Sequence, residues 1–302
     1  MRQETVVMRV LRVLRWLVAR LPVSVGRLLA CRAGDIAYYV AGRGRRAAIS
    51  NMRHVLGPEA GWGAARRAAH KVFQNVALDY YDMLRVPDLS DEDLLKQVVF
   101  DEAGFGLIRP LIADGQRMIM LSAHYGAIDM AGRILKAHGW PVAFLADQVG
   151  GGRLFQFMRQ VRERSGAEFL AHEEGPGVLK RLITTLRAGR TIGVMADRNV
   201  TVSESGVRVP FFGEDALMST ALARLAIRSK ALIVPAFCYR EGRKYIVSIA
   251  PPITPTDSGH PERDIETLTR RIATIYEQYI GQHPDQWLLL SPVWPDAVPV
   301  EG

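Results

Sequence analysis

From Arg117 onward the chain alternates between two hydrophobic periods. Short apolar runs lie at Met118 to Ser122, Val142 to Ala146, Thr191 to Ala196, Ala231 to Phe237 and Tyr245 to Ile249. Between them, Asp129 to Ala137, Leu154 to Arg164, Val178 to Ala188 and Ser219 to Ser229 carry apolar residues at helical spacing. Runs of strand length alternating with helical segments predict an α/β fold: a mixed, largely parallel central sheet flanked by helices. Residues 1 to about 95 read as mostly helical, which predicts a helical N-terminal layer. Arg85 to Leu89 reads as a turn around Pro87. A helix then opens at Ser90, with Asp91, Glu92 and Asp93 at its positive end. Asp264 to Gly281 reads as a C-terminal helix, and the tail becomes Pro-rich from Pro292. With no repeat, low-complexity tract or long linker, the expected division is a helical layer over 1–95 leading into a core over 96–302, as one continuous domain.

The first segment has a pattern of its own. Val6 to Ala19 is rich in Val, Leu and Trp, but Arg9, Arg12 and Arg15 interrupt it and Arg20 follows. A spanning helix needs about 20 predominantly apolar residues, and a signal peptide needs an uninterrupted apolar stretch. Neither fits. On a helix the three arginines form a slowly drifting basic stripe, with Val10, Leu11, Val13, Leu14, Leu17 and Val18 on the other sides. Two readings follow: a helix lying in a lipid interface, or a surface helix that buries the same apolar side against the core.

Composition narrows the classes. Hydrophobic residues at 48% and charged residues at 23% describe a globular chain, and 302 residues suffice for a sizeable core. The net charge of +8 favours an anionic partner without choosing among lipid, nucleic acid, acidic protein or phosphorylated ligand. Cys31 and Cys238 fit no zinc or redox spacing, and Cys238 sits in an apolar run, so a reducing compartment is expected.

The stretch with the most chemistry is MLSAHYGAIDMAG, Met120 to Gly132. An apolar strand runs into His124, a break at Gly126 and Asp129 at a helix start. Five helical steps rotate about 140°, so the two side chains would not share a helix face. They meet only if His124 is on the loop and Asp129 is in the first turn. A carboxylate held on one imidazole nitrogen fixes the tautomer and leaves the other as a general base for a hydroxyl. The end of a strand in an α/β sheet is a common place for such a site. A surface pair or a structural hydrogen bond is the ordinary alternative.

A second block, IGVMADRNV (Ile192 to Val200), is followed by SGVRVPFFGEDALMSTALARLA (Ser205 to Ala226). Here a strand delivers Asp197 and Arg198 to a loop. A further loop presents Arg208, Phe211, Phe212 and Gly213 before a helix opens at Ser219 or Thr220. Arg198 and Arg208 suit a phosphate or an anionic intermediate, or are solvated loop arginines. Glu214 either orients a catalytic group or is a surface carboxylate. Phe211 and Phe212 either line an acyl pocket or pack the loop on the core.

AHYGAIDMAG resembles the first block of the lysophospholipid acyltransferase superfamily, where His and Asp or Glu stand as H-x-x-x-x-D/E. ADRN with GVRVPFFGEDALMSTALARLA resembles the later block of its lipid A late acyltransferase and phosphatidylinositol mannoside acyltransferase branch. RGRRAAISNMRHVLG and HPDQWLLLSPVWPD are similar to flanking segments, in the same order. The His/Asp motif alone has low specificity; the ordered set of four has high specificity. The resemblance implies an O-acyltransferase that moves a fatty acyl chain from an acyl thioester, acyl-CoA or acyl carrier protein, to a hydroxyl of a glycolipid or lysophospholipid. His124 would be the base and Asp129 its partner, with Glu214 as further acidic support. Asp197, Arg198, Arg208, Phe211, Phe212 and Tyr125 would contact substrate. No metal and no cofactor beyond the donor are implied. The implied partners are the lipid or glycolipid acceptor, an anionic membrane surface and an acyl carrier protein, not nucleic acid. The implied location is peripheral, on the cytoplasmic face of the inner membrane.

Two departures bear on the acceptor. LLLSPVW lacks the basic H-R-R-W-like segment of lipid A enzymes and looks closer to the mannoside branch. Gly150, Gly151 and Gly152 stand where many members have Asn-Pro. The residues leave two alternatives open: a thioester or lipid hydrolase using the same pair on water, or a non-catalytic anionic-lipid-binding protein. G-x-S-x-G, Walker and H-E-x-x-H motifs are absent, and the arginines do not interleave with aromatics as a nucleic-acid platform would.

Overall fold

The computed structural model describes residues 2–147, 153–166, 168–172, 177–198 and 206–294. Five helices come first: α1 (Arg2–Arg20), α2 (Val23–Val40), α3 (Gly42–Val55), α4 (Gly61–Arg85) and the short α5 (Asp91–Leu95). Next come β1 (Val98–Phe100), α6 (Glu102–Ala113), β2 (Met118–Ser122), α7 (Ile128–Ala137), β3 (Val142–Asp147), α8 (Arg153–Arg164), β4 (Glu168–His172), α9 (Gly177–Arg187) and β5 (Thr191–Met195). A hairpin of β6 (Gly206–Phe211) and β7 (Glu214–Ser219) follows, then α10 (Ala221–Ser229), β8 (Leu232–Glu241), β9 (Lys244–Ile249) and α11 (Pro261–Gln282).

Seven strands form the main sheet in the order β1-β9-β8-β2-β5-β3-β4. All neighbours are parallel except β8 and β9. The expected mixed, largely parallel sheet with a helical N-terminal layer is therefore present. The central strands are apolar on both faces because helices cover both faces. In β2, Ile119 and Leu121 enter one core with Ala69 and Phe73 of α4, Leu222 of α10 and Ile272 of α11. Met118 and Met120 enter the other with Phe105 of α6 and Ile134 of α7. Each such side chain contributes about 1.5–3 kcal/mol of burial, which fixes the sheet between its layers.

The five predicted strand segments and the predicted helices are found within a few residues of the expected bounds. Ser90 caps α5 as expected, its Oγ accepting from the Asp93 N–H at 3.0 Å. Three features lie beyond the expected elements: β1, β4 and the β6–β7 hairpin. β1 has three residues, and β4 is an edge strand with Glu168 at its start. The hairpin stands where a loop is expected, and it carries Pro210 within β6. In a two-stranded ribbon every strand is an edge, where proline is tolerated. Val209 and Phe211 are buried while Arg208 and Pro210 are exposed, a period of two that marks a strand.

Helix α1 turns its apolar side outward. Met8 and Leu11 pack against Met83 of α4 and Phe157 and Val161 of α8. Arg15 also faces the protein, donating to Asp88 Oδ2 at 2.5 Å. Val10, Val13, Leu14, Trp16 and Leu17 are all exposed, and α2 adds Val25, Leu28, Leu29, Ile36, Tyr39 and Val40. Among the described residues, no helix is long and apolar enough to cross a membrane.

Candidate active site

Two parallel neighbours, β2 and β5, build the site. Their register pairs Ser122 with Met195. His124 and Asp197 each lie two residues further on, so the register alone sets them side by side at the C-terminal edge of the sheet. Tyr276 of α11 ties these strand ends together. Its hydroxyl donates to Ser122 O at 2.9 Å and accepts from Ala196 N at 3.1 Å.

Asp197 is the carboxylate that meets His124. Its Oδ1 lies 2.7 Å from His124 Nδ1, and its Oδ2 accepts from the His124 backbone N–H at 3.0 Å. Trp287 Nε1 also donates to Oδ2, at 2.8 Å. Burial alone would raise the Asp197 carboxyl, but the adjacent His124 and these hydrogen bonds outweigh it and hold the group below the usual carboxylate range. An ionised Asp197 assigns the proton to Nδ1 and leaves the Nε2 lone pair free to accept. The His124 side chain is 17% exposed and that of Asp197 is fully covered, so the imidazole and not the carboxylate is accessible from outside.

The turn after His124 is held from several directions. Gly126 has φ +68°, and a Cβ there would lie 2.2 Å from Cys238 O. Its N–H donates to Gln286 O at 2.8 Å, and its carbonyl accepts from Arg240 Nη1 at 2.9 Å. Leu288 N donates to His124 O at 2.6 Å, and Tyr125 forms a β-bridge with Trp287. Arg240 is itself held by Asp82 Oδ2, at 3.0 and 2.8 Å from two of its nitrogens. The segment QWL thus frames the His124 turn and supplies the indole on Asp197.

Asp129 has a different partner from the expected one. It lies in the first turn of α7, as predicted, but its carboxylate accepts both Arg162 Nε at 2.5 Å and Arg162 Nη2 at 2.9 Å. This bidentate pair joins α7 to α8. Asp79 of α4 accepts from the Asp129 N–H at 3.4 Å. Burial, together with the neighbouring Asp129 and Asp82 and against the pull of Arg240, raises the Asp79 carboxyl. The expectation that Asp129 orients His124 is corrected to Asp197, which had been placed among the substrate contacts. The cause is geometric: the strand neighbour is closer to His124 than the following helix turn is.

Glu214 also moves away from the expected role. It opens β7, its side chain is 63% exposed, and its Oε2 lies 3.3 Å from His54 Nε2. Phe211 is buried and stacks on Trp294 with centroids 5.4 Å apart, so it packs the hairpin and does not line an open pocket. Phe212 is half-buried against Phe211, and Arg208 is exposed on β6. Arg198 is exposed immediately after Asp197. Gly150, Gly151 and Gly152 lie outside the described residues.

Tyr125 is buried, and its hydroxyl has no hydrogen-bond partner among the described residues. It lines a narrow apolar crevice with Met120, Ser122, Ile128, Phe144 and Met195, beside the His124 turn. Gln286, Trp287 and Tyr276 are site residues that motif reading missed. The Gln-Trp pair stood out only as part of a flanking block, and Tyr276 only as one apolar position of a helix. Among the described residues, no cluster of three His, Cys, Asp or Glu side chains is arranged for a metal ion.

Comparison with known proteins gives this arrangement a family. The chain is 28% identical to a phosphatidylinositol mannoside acyltransferase of Mycobacterium tuberculosis (strain CDC 1551 / Oshkosh) over 214 residues, 70% of this chain and 66% of that protein. It is 31% identical to the phosphatidylinositol mannoside acyltransferase of Mycolicibacterium smegmatis over 181 residues, 60% of this chain and 57% of that protein. A lipid A biosynthesis acyltransferase of Haemophilus influenzae is 26% identical over 223 residues, 72% of this chain and 66% of that protein. The matched stretches thus span 57–66% of these relatives' own length, less than two thirds. The sequence model of bacterial lipid A biosynthesis acyltransferases matches residues 4–295, and the chain belongs to that family.

Proposed function

We propose that this protein transfers a fatty acyl group from an acyl thioester to a hydroxyl of a membrane glycolipid, with His124 as general base and Asp197 as its supporting carboxylate. The observation that carries this is the short contact of His124 Nδ1 with the covered, ionised Asp197, which leaves Nε2 as a proton acceptor at the sheet edge. The acceptor hydroxyl loses its proton to Nε2 as its oxygen attacks the thioester carbonyl. The tetrahedral intermediate collapses, the C–S bond breaks, and the leaving thiolate takes the proton from Nε2. No acyl-enzyme forms, and the positive imidazolium of the intermediate stage lies against a fixed negative charge.

The similarity to phosphatidylinositol mannoside acyltransferases and to a lipid A biosynthesis acyltransferase supports a glycolipid acceptor. The outward apolar faces of α1 and α2, with Arg9, Arg12 and Arg20 exposed beside them, support peripheral binding to an anionic bilayer. A surface helix that served only to cover the core would bury that side. The test is transfer of labelled acyl groups from an acyl thioester to a glycolipid acceptor. Wild-type protein should show acceptor-dependent transfer, and His124→Ala should lose it while keeping its melting temperature. Thioester cleavage at the full rate without acceptor would instead mark a hydrolase.

A further inference from the structure

A second cavity, of about 350 Å³, opens between α2, α4 and the segment that carries Gln286. Arg27, Leu28 and Cys31 of α2 face Asn75 of α4, Arg240 of β8 and Asp285 across it. Arg240 is neutralised by Asp82. Arg27 differs: its guanidinium donates to Gly242 O at 3.2 Å and, at 3.4 Å, to the Tyr245 hydroxyl, both neutral oxygens. It therefore leaves positive charge at the cavity. Opposite it, Asp285 and Asn75 are mutually fixed, with Asn75 Nδ2 3.3 Å from Asp285 Oδ2 and 2.8 Å from Asp285 O. One unneutralised guanidinium suits a singly charged phosphodiester. One carboxylate suits hydroxyl donors and disfavours a second negative charge. Of the lining side chains Leu28 is exposed, at the border of the outward apolar face of α2 that Val25 and Leu29 continue.

From this convergence we propose that the cavity binds the polar end of a hydroxylated, singly anionic phospholipid, with Arg27 on the phosphodiester, Asp285 on headgroup hydroxyls and the tails leaving past Leu28. This is a lipid site separate from the His124 crevice. The bilayer as the source of the occupant rests on the peripheral-membrane reading. The site itself can be tested without bilayer or acyl transfer, so the two can fail independently.

Cys31 supplies the readout, since it lines the cavity and is half-buried while Cys238 is fully buried. Alkylation of Cys31 by N-ethylmaleimide would be timed by mass spectrometry with monomeric dihexanoyl phosphatidylglycerol or dihexanoyl phosphatidylcholine. The glycerol lipid is expected to slow alkylation about fivefold when present well above its dissociation constant, and the choline lipid hardly at all. In Arg27→Gln the protection should disappear. Should that variant lose its fold by circular dichroism, Leu28→Trp, at an exposed lining position, fills the cavity and should remove the lipid-dependent part of the protection. Equal protection by both lipids, no protection by either, or protection undiminished in the folded variants would overturn the proposal.

Discussion

Asp197→Asn separates the register-based site from the motif-based one. The amide has the size of the carboxylate, so the strand end and the Trp287 contact can survive. Its oxygen still accepts from Trp287 Nε1 and the His124 N–H, both now on Oδ2 at 2.8 and 3.0 Å. That orientation turns the NH₂ group toward His124 Nδ1, where Oδ1 sits at 2.7 Å. Nδ1 must then accept, the ring proton moves to Nε2, and the nitrogen facing substrate can no longer take a proton. The same tautomer error in serine-protease triads costs about ten-thousand-fold in kcat. At about 1.36 kcal/mol per tenfold this is about 5.4 kcal/mol of barrier. General-base assistance alone spans about a hundred- to ten-thousand-fold, so a loss of at least a hundredfold is expected here. The assay is acyl transfer with saturating thioester and glycolipid, beside a thermal melt and a donor-binding measurement. Transfer within tenfold of wild type in a well-folded Asp197→Asn protein would refute the argument. So would a loss confined to KM.

Asp129→Asn leaves Arg162 half of its bidentate partner in a largely covered setting; a loss of about 3 kcal/mol in stability is expected in denaturant melts. Its residual activity per folded molecule should exceed that of Asp197→Asn. The Asp79 carboxyl is raised to about 8, so it stays protonated in the folded protein while the unfolded chain ionises, and its contribution to stability falls as pH climbs from about 4 to about 8. Asp79→Asn should therefore gain melting temperature relative to wild type as pH is raised from acid to pH 8, and a difference flat with pH would contradict the assignment. Gly126→Ala forces a Cβ to within 2.2 Å of Cys238 O at a positive φ, so it should lower both activity and melting temperature, beyond the roughly 1–2 kcal/mol of the backbone conformation alone. Leu17→Glu, at an exposed position of α1, should weaken flotation with anionic vesicles and leave the melt unchanged; reduced stability instead would mean that α1 buries this face in solution.

The central strands were legible because each is buried on both faces, and a run such as Met118 to Leu121 has no other reading once helices flank it. His124 was legible for the same reason: it stands where that run ends and a glycine breaks the chain. Its partner was not, because sequence distance was used in place of strand order. His124 and Asp129 are close in the chain, whereas Asp197 is 73 residues from His124 and becomes its neighbour only when β5 pairs with β2 in parallel. Nothing within either block states that pairing, since α7, β3, α8, β4 and α9 intervene between the two strands. A weaker signal was present. Both MLSAH and GVMAD place a titratable residue one step beyond a small residue at the end of an apolar run, the pattern expected of two neighbouring strands that deliver side chains to one edge. Such a pattern yields candidates, and only the order of strands selects among them. The same holds for Trp287, whose indole reaches Asp197 from the far end of the chain. The motif aspartate, Asp129, acts through Arg162. It joins α7, which begins just after the His124 turn, to α8, so its loss should disturb the frame of the candidate site while leaving His124 and Asp197 in contact.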